Sequence, residues 1–393
     1  MRSYHRLLHL PHHKNGLSVL YFVATLRTFV ISFLILFLPV VLYQNLLNMH
    51  MSATKAILVV SIIYLFLPIS QLIFSFAAAL CNGRWGLKWG FIIGQVFFLL
   101  FLLTSADSST IYNYFWSFFL WGLASAFWWV SYHSYFIEHV QLKSLGRQIG
   151  LVEMLGIASG LIGPVSVGFL IVGFGKNILL PFGSIITLLS IAIVIFFDEN
   201  KRQEVVYPSQ IIHMIKNNYR DFFSYVGSGA EEMVYSVSWS LVLYFMFNNY
   251  SLVGIFSSFV IIISVIVVYL VAQYTDKMSK EKLEKLGAGI ISSSWLIKAL
   301  LQNPVSMFIV DSLYKIFFNC FLIPLRAIAY KHALRSNINQ YVVFREIGYA
   351  LGNITTLLVI VFISILKLPL WYTFIWAAFV ALIPMIIREK QYV

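Results

Sequence analysis

Apolar stretches long enough to cross a bilayer follow one another along the whole chain. They lie at about residues 17–44, 55–80, 87–106, 111–138, 148–172, 177–198, 221–248, 251–273, 286–302, 304–330, 341–366 and 369–388. A helix rising 1.5 Å per residue needs roughly 20 predominantly apolar residues to span the hydrocarbon core. The pattern therefore predicts an all-α integral membrane protein with twelve transmembrane helices. The narrowest separation is at Gln302-Asn303-Pro304, where Pro favours a helix start and disfavours helix just before it. Charged residues make up 11% of the chain and hydrophobic ones 60%, against roughly 25% charged in a soluble domain.

The net charge of +12 does not signal nucleic acid, because the basic residues form no single run and sit in short loops between apolar stretches. No nucleic-acid partner is expected. Nineteen of the 27 Lys and Arg residues fall on one side of the predicted topology and three, Lys55, Lys176 and Lys367, on the other. Lys/Arg-rich short loops stay in the cytoplasm, so both termini are expected there, in a multi-pass protein of the plasma (inner) membrane. The basic N-terminus precedes a full-length apolar stretch without a small-residue cleavage site and reads as leading into a first span. The longest loop, residues 199–220, reads as a cytoplasmic linker between an N-terminal six-helix bundle, residues 1–198, and a C-terminal one, residues 221–393. Cys81 and Cys320 lie too far apart to suggest a disulfide framework or a metal cluster.

The two halves share a repeat. Gly83-Arg84-Trp85-Gly86-Leu87-Lys88 and Asp276-Lys277-Met278-Ser279-Lys280 occupy matching loops, and Glu153, Gly156 and Gly160 match Arg345, Gly348 and Gly352. The offsets, 276 − 83 = 193 and 345 − 153 = 192, are both about half the chain. Six-plus-six duplication is a common transporter plan. The two loops resemble degraded copies of the major facilitator superfamily signature between the second and third spans and between the eighth and ninth. Gly83 stands where the family has an acid, while Arg84, Gly86, Lys88, Asp276 and Lys277 keep the pattern. Gly150, Ser159, Gly163-Pro164 and Gly168 resemble the family's fifth-span Gly-Pro motif, although the same glycines suit close helix packing. The resemblance implies two pseudo-symmetric six-helix bundles, a cavity lined by spans one, four, seven and ten, and gating by the loop residues Arg84, Lys88, Asp276 and Lys277.

Ionisable residues inside a membrane are costly and generally face a polar cavity or each other. Five basic residues, Arg27, Lys298, Lys315, Arg326 and Arg345, and five acidic ones, Glu153, Glu231, Glu232, Asp311 and Glu346, lie within the predicted spans. The substrate-binding and coupling candidates are Arg27, His133, Glu153, Glu231, Arg326, Arg345, Tyr132, Tyr235 and Trp239. Arg27 and Arg326 suit an anionic group. Glu153, Glu231 and His133 suit proton coupling, which needs a group that titrates near neutrality. Glu231 and Glu232 point about 100° apart, and Glu231 is expected to face the cavity. Asp311 and Lys315, spaced i,i+4, are expected to pair, and Arg345 is a conceivable partner for Glu153 across the halves.

No Gly-rich phosphate loop, zinc helix or nucleophile elbow is present, so no enzyme activity, catalytic residue, metal site or cofactor is expected. The reading is a secondary active transporter that moves a small polar or charged solute by alternating access, with protons as a coupling ion, lipids around it and a monomeric state. A lipid or amphiphile flippase of the same fold, with charge confined to one end of its cavity, is the first alternative. A non-transporting membrane scaffold or receptor is the second.

Overall fold

A computed structural model describes residues 14–106, 110–140, 145–196, 202–275, 279–301 and 303–389. Six long helices make the first half: α1 (Lys14–Asn48), α2 (Ala53–Arg84), α3 (Leu87–Ala106), α4 (Ile111–His139), α5 (Leu145–Phe174) and α6 (Leu179–Ile195). A short helix α7 (Pro208–Asn217) follows. The second half holds α8 (Tyr219–Met233), α9 (Ser240–Phe247), α10 (Tyr250–Thr275), α11 (Lys280–Leu300), α12 (Pro304–Ala333), α13 (Ile338–Ile365) and α14 (Tyr372–Val380). Among the described residues, seven helices are long and apolar enough to cross a membrane by length and composition. The remaining passes are α4, α8 with α9, α10, α11 and α14, which makes twelve in all.

Local chemistry sets several boundaries. The Asn303 side chain accepts a hydrogen bond from Ser306 N at 2.9 Å and Pro304 opens the first turn of α12, so the narrow join is a capped helix start. Asn337 caps α13 in the same way, accepting from Gln340 N at 2.9 Å. Three expectations change. The linker contains α7, started by Pro208 and by a Tyr207 N to Gln210 Oε1 hydrogen bond of 3.0 Å, with Ile211 and Met214 buried on one face. The stretch at 221–248 is α8 and α9 joined by a π-helical turn, Val234–Trp239, which shifts the face that each later residue presents. The last stretch is a short α14 followed by a 3₁₀ turn, Ile383–Ile386, because Pro384 cannot continue an α-helix.

Within the first half α4 packs on α2 and α3, and α1 on α5 and α6; within the second α13 packs on α8, and α11 on α12 and α14. The halves meet along α5 with α10 and α2 with α13. Repeat-related helices thus occupy equivalent places at the seam. Along α5 and α10 the backbones nearly touch: a Cβ on Gly254 would lie 2.5 Å from the Pro164 carbonyl oxygen. The repeat-matched glycines differ in use. A Cβ on Gly352 would sit 2.0 Å from the Val226 carbonyl oxygen on α8, whereas Gly156 and Gly160 line an internal cavity.

Candidate functional site

Between the halves lies a cavity with two lobes of about 180 Å³ and 310 Å³, whose walls share Ile35, Glu232, Ser236 and Arg326. The smaller lobe is walled by α2, α4 and α13, through residues such as Gln71, Trp129, His133 and Tyr349. Helices α5, α10 and α12 wall the larger one, through Glu153, Ser257, Lys315 and Asn319. The π turn lies beside both: Tyr235 and Ser236 from it line the walls, one turn after Glu232.

Charge in this cavity is arranged in two linked groups that cross the seam. Glu153 of α5 pairs with Arg326 of α12, which corrects the expectation that Arg345 would be its partner. Arg345 instead donates from Nη1 to Glu346 Oε1 at 2.7 Å. The adjacent side chains meet because Glu346 is held from the other half: Gln71 Nε2 donates to Glu346 Oε2 at 3.1 Å. His133 Nε2 lies 3.9 Å from Glu346 Oε1, and its Nδ1 is 2.7 Å from the Tyr330 hydroxyl. Tyr235 stacks on Tyr314 with centroids 5.2 Å apart, and Lys315 Nζ lies 3.9 Å from the Tyr235 ring centroid.

Four candidates do not line the cavity. Arg27 is 3% exposed inside the first half. Its Nη1 donates to Gln95 Oε1 at 3.1 Å and its guanidinium lies 4.3 Å from the Phe98 ring and 4.8 Å from Trp128. The anion-binding expectation for Arg27 is therefore withdrawn. Tyr132 is buried between Trp128 and Phe136. Glu231 turns into the second half, where its Oε1 accepts from Trp295 Nε1 and Tyr314 OH, each at 2.7 Å. Adjacent helical residues diverge, and Glu232 is the one exposed to both lobes; the expected facing of this pair is reversed. Trp239 is fully buried with its ring 3.9 Å from Lys298 Nζ. The expected Asp311 and Lys315 pair is also absent: Asp311 bonds Lys298 at 2.6 Å, because α11 packs along α12.

Contacts between halves lie towards both ends of the molecule. At the end away from the termini, Gln44 of α1 meets the Tyr244 hydroxyl, the Tyr250 hydroxyl donates to Gln44 Oε1 at 2.8 Å, and Ser240 Oγ donates to the Ile35 carbonyl at 3.0 Å. At the end carrying the termini, residues 202–207 cross the seam as a strap. Gln203 N donates to Asn82 O at 3.1 Å. Asn339 Nδ2 donates to both Ala79 O, at 3.2 Å, and Glu204 O, at 2.9 Å. A Cβ on Gly83 would lie 3.2 Å from Val205 Cγ2, so the strap occupies the surroundings of the missing acid. Arg84 is exposed and Lys88 half-buried in this turn, while Asp276 and Lys277 lie outside the described residues. Nearby Lys280 lies 3.6 Å from Glu389 and Lys331 lies 3.0 Å from it. Burial pushes the Glu389 carboxyl up, but the Lys331 hydrogen bond and the Lys280 charge outweigh this and hold it below the usual carboxylate range.

Asn339 is fully buried, and Asn339→Ala is expected to loosen the strap without unfolding the chain. Cys81, buried at 5% exposure under the same turn, reports on this. In a Cys320→Ser background, maleimide labelling of Cys81 is expected to accelerate several-fold; an unchanged rate would show that the strap does not hold this end.

Sequence reasoning named His133, Glu153, Arg326, Arg345 and Tyr235 among the lining residues, and missed Gln71 in the wall, Tyr330 behind His133 and Gln44 at the far end. Gln71 had a readable signal, a lone amide within an apolar stretch. Tyr330 had none, being one of 22 tyrosines.

The family model of the Major Facilitator Superfamily matches residues 18–354. Among solved structures, the chain is similar to the human organic anion transporter MFSD10 (TETRAN), with a TM-score of 0.74 and 10% identity over 96% of this chain and 99% of that one. It is similar to a D-xylose-proton symporter, with a TM-score of 0.71 and 12% identity over 93% and 97% of the two chains. A proton:xylose symporter, XylE, bound to 6-bromo-6-deoxy-D-glucose gives a TM-score of 0.72 and 12% identity over 94% of each chain. At these identities the likeness is one of fold. No curated protein matches the sequence.

Proposed function

The chain belongs to the Major Facilitator Superfamily, and we propose that it is a secondary active transporter in which two bundles rock about the central cavity to move a small polar or charged solute by alternating access. One observation carries the reading: a charge-lined cavity between the halves is flanked by two separate sets of inter-half contacts, Gln44 with Tyr244 and Tyr250 beyond one side and Glu153 with Arg326 in the opposite wall. Each set can open while the other holds. On the positive-inside count we take the strap end as cytoplasmic, and the protein as a monomer among the lipids of the plasma membrane.

Proton coupling fits the Glu153 and Arg326 pair. A proton on Glu153 removes the charge that holds Arg326, so protonation and opening of that end are linked. His133, between Tyr330 and Glu346, is the second coupling group. Charge spread over both lobes favours a soluble solute over a lipid, whose flippase would confine charge to one end.

The test is solid-supported-membrane electrophysiology on proteoliposomes, with a panel of amino acids, dipeptides, hexoses and organic anions. At least one class is expected to give a saturable response absent from protein-free liposomes and enhanced by an inward proton gradient. Silence across the panel argues against transport, and a response indifferent to the gradient removes proton coupling alone.

A further inference from the structure

Six charged side chains line the cavity, three acidic, Glu153, Glu232 and Glu346, and three basic, Lys315, Arg326 and Arg345. Four of them are already neutralised as Glu153 with Arg326 and Glu346 with Arg345. The other two make no close ion pair, although the Arg326 and Arg345 charges act on Glu232 and the Asp311 charge on Lys315 from farther away. Among the described residues, Glu232 has no ion-pair or side-chain hydrogen-bond partner, although it is exposed to both lobes. Lys315 is half-buried and rests its ammonium on the Tyr235 ring at 3.9 Å, with no carboxylate in ion-pair range among the described residues. Both line the larger lobe, Glu232 from α8 and Lys315 from α12.

A charge held in a low-dielectric cavity without a partner is costly. A solute that meets both at once relieves two costs while keeping the cavity neutral. An anion would satisfy Lys315 and face Glu232; a cation would do the reverse; a sugar would offer hydroxyls to both and neutralise neither. Building on the transporter reading, we propose that the cargo is a zwitterion, its ammonium received by Glu232 and its carboxylate or phosphate by Lys315, with the aromatic walls of Tyr235, Tyr314 and Phe318 beside its apolar part. Cargo selection then follows from opposite free charges and not from net cavity charge, which is zero.

Matched trios test this on the full chain in detergent. L-phenylalanine, phenethylamine and 3-phenylpropionate share one skeleton and differ in charge. Alanyl-phenylalanine and 5-aminopentanoate, each with its amine-only and acid-only analogues, extend the spacing between charges. Thermal-shift titrations are expected to show at least one zwitterion binding about tenfold or more tightly than both of its single-charge analogues. Glu232→Gln is expected to bring that zwitterion down to its acid analogue, and Lys315→Gln down to its amine analogue; Glu232 faces the cavity, so the substitution leaves the packing intact. The proposal is overturned if an amine or acid equals its zwitterion in every trio, if no zwitterion binds, or if both variants weaken every probe alike. Flux separates this from the parent reading. Zwitterion binding without uptake into proteoliposomes would remove transport and keep the ligand class, while uptake of a hexose or organic anion without zwitterion binding would do the opposite.

Discussion

Lys298→Ala is expected to destabilise the second half by about 3–5 kcal/mol, the usual result of stranding one member of a buried ion pair. Lys298 is 0% and Asp311 1% exposed, and they bond at 2.6 Å. The ammonium is further enclosed by Trp239 at 3.9 Å and by Trp295 and Tyr314, each at 4.4 Å, which shield it from bulk water. Removing it leaves the Asp311 carboxylate among aromatic rings. Reversible SDS unfolding in mixed micelles reads the loss. Lys298→Met with Asp311→Leu removes both charges at similar volume and is expected to recover most of it; a double variant as unstable as the single one would mean that the pair itself, and not the stranded charge, sets the stability.

Arg326→Met is expected to shift the balance between the two ends of the cavity, with a smaller effect on stability. The Arg326 and Glu153 side chains are 21% and 17% exposed to the cavity, so water offsets part of the lost pair. Glu153 lies eight residues into α5 and Arg326 seven from the end of α12, which places both about 10–12 Å from the end carrying the termini at 1.5 Å per residue. In the proposed cycle this pair holds that end closed. A coupling of about 1–3 kcal/mol corresponds to a roughly 5–150-fold change in the ratio of conformers. In the Arg326→Met protein, labelling of Cys81 beneath the strap should rise accordingly, and transport should fall because one gate no longer holds. The exchanged variant, Glu153→Arg with Arg326→Glu, restores the pair and should restore both readouts; failure to do so would assign Arg326 to cargo contact instead.

The number of passes and the family were legible because each rests on local chemistry repeated many times: runs of apolar residues, basic loops on one side and a repeat of 192 to 193 positions. Which charges lie in the membrane was legible too. Their partners were not. Lys298 reaches Asp311 only because α11 packs along α12, and Glu153 finds Arg326 across the seam, so i,i+4 and repeat-mate reasoning chose wrong partners. The facing of Glu231 and Glu232 depends on how α8 is rotated against α11 and α12, which Trp295 and Tyr314 fix by hydrogen bonds. Nor did sequence foretell that the linker would cover the turn at Gly83, since the departure from the family pattern is visible there while its replacement lies some 120 residues later.

Alternating access is tested most directly by electron-spin distance measurements between two label pairs on exposed positions. Arg84 and Arg335 report on the end carrying the termini, and Asn48 and Asn249 on the opposite end. In reconstituted protein each pair should show a short and a long population, and Arg326→Met should lengthen the first distance while shortening the second. One fixed distance at each end under all conditions, or both ends widening together, would contradict a transporter that opens one side at a time.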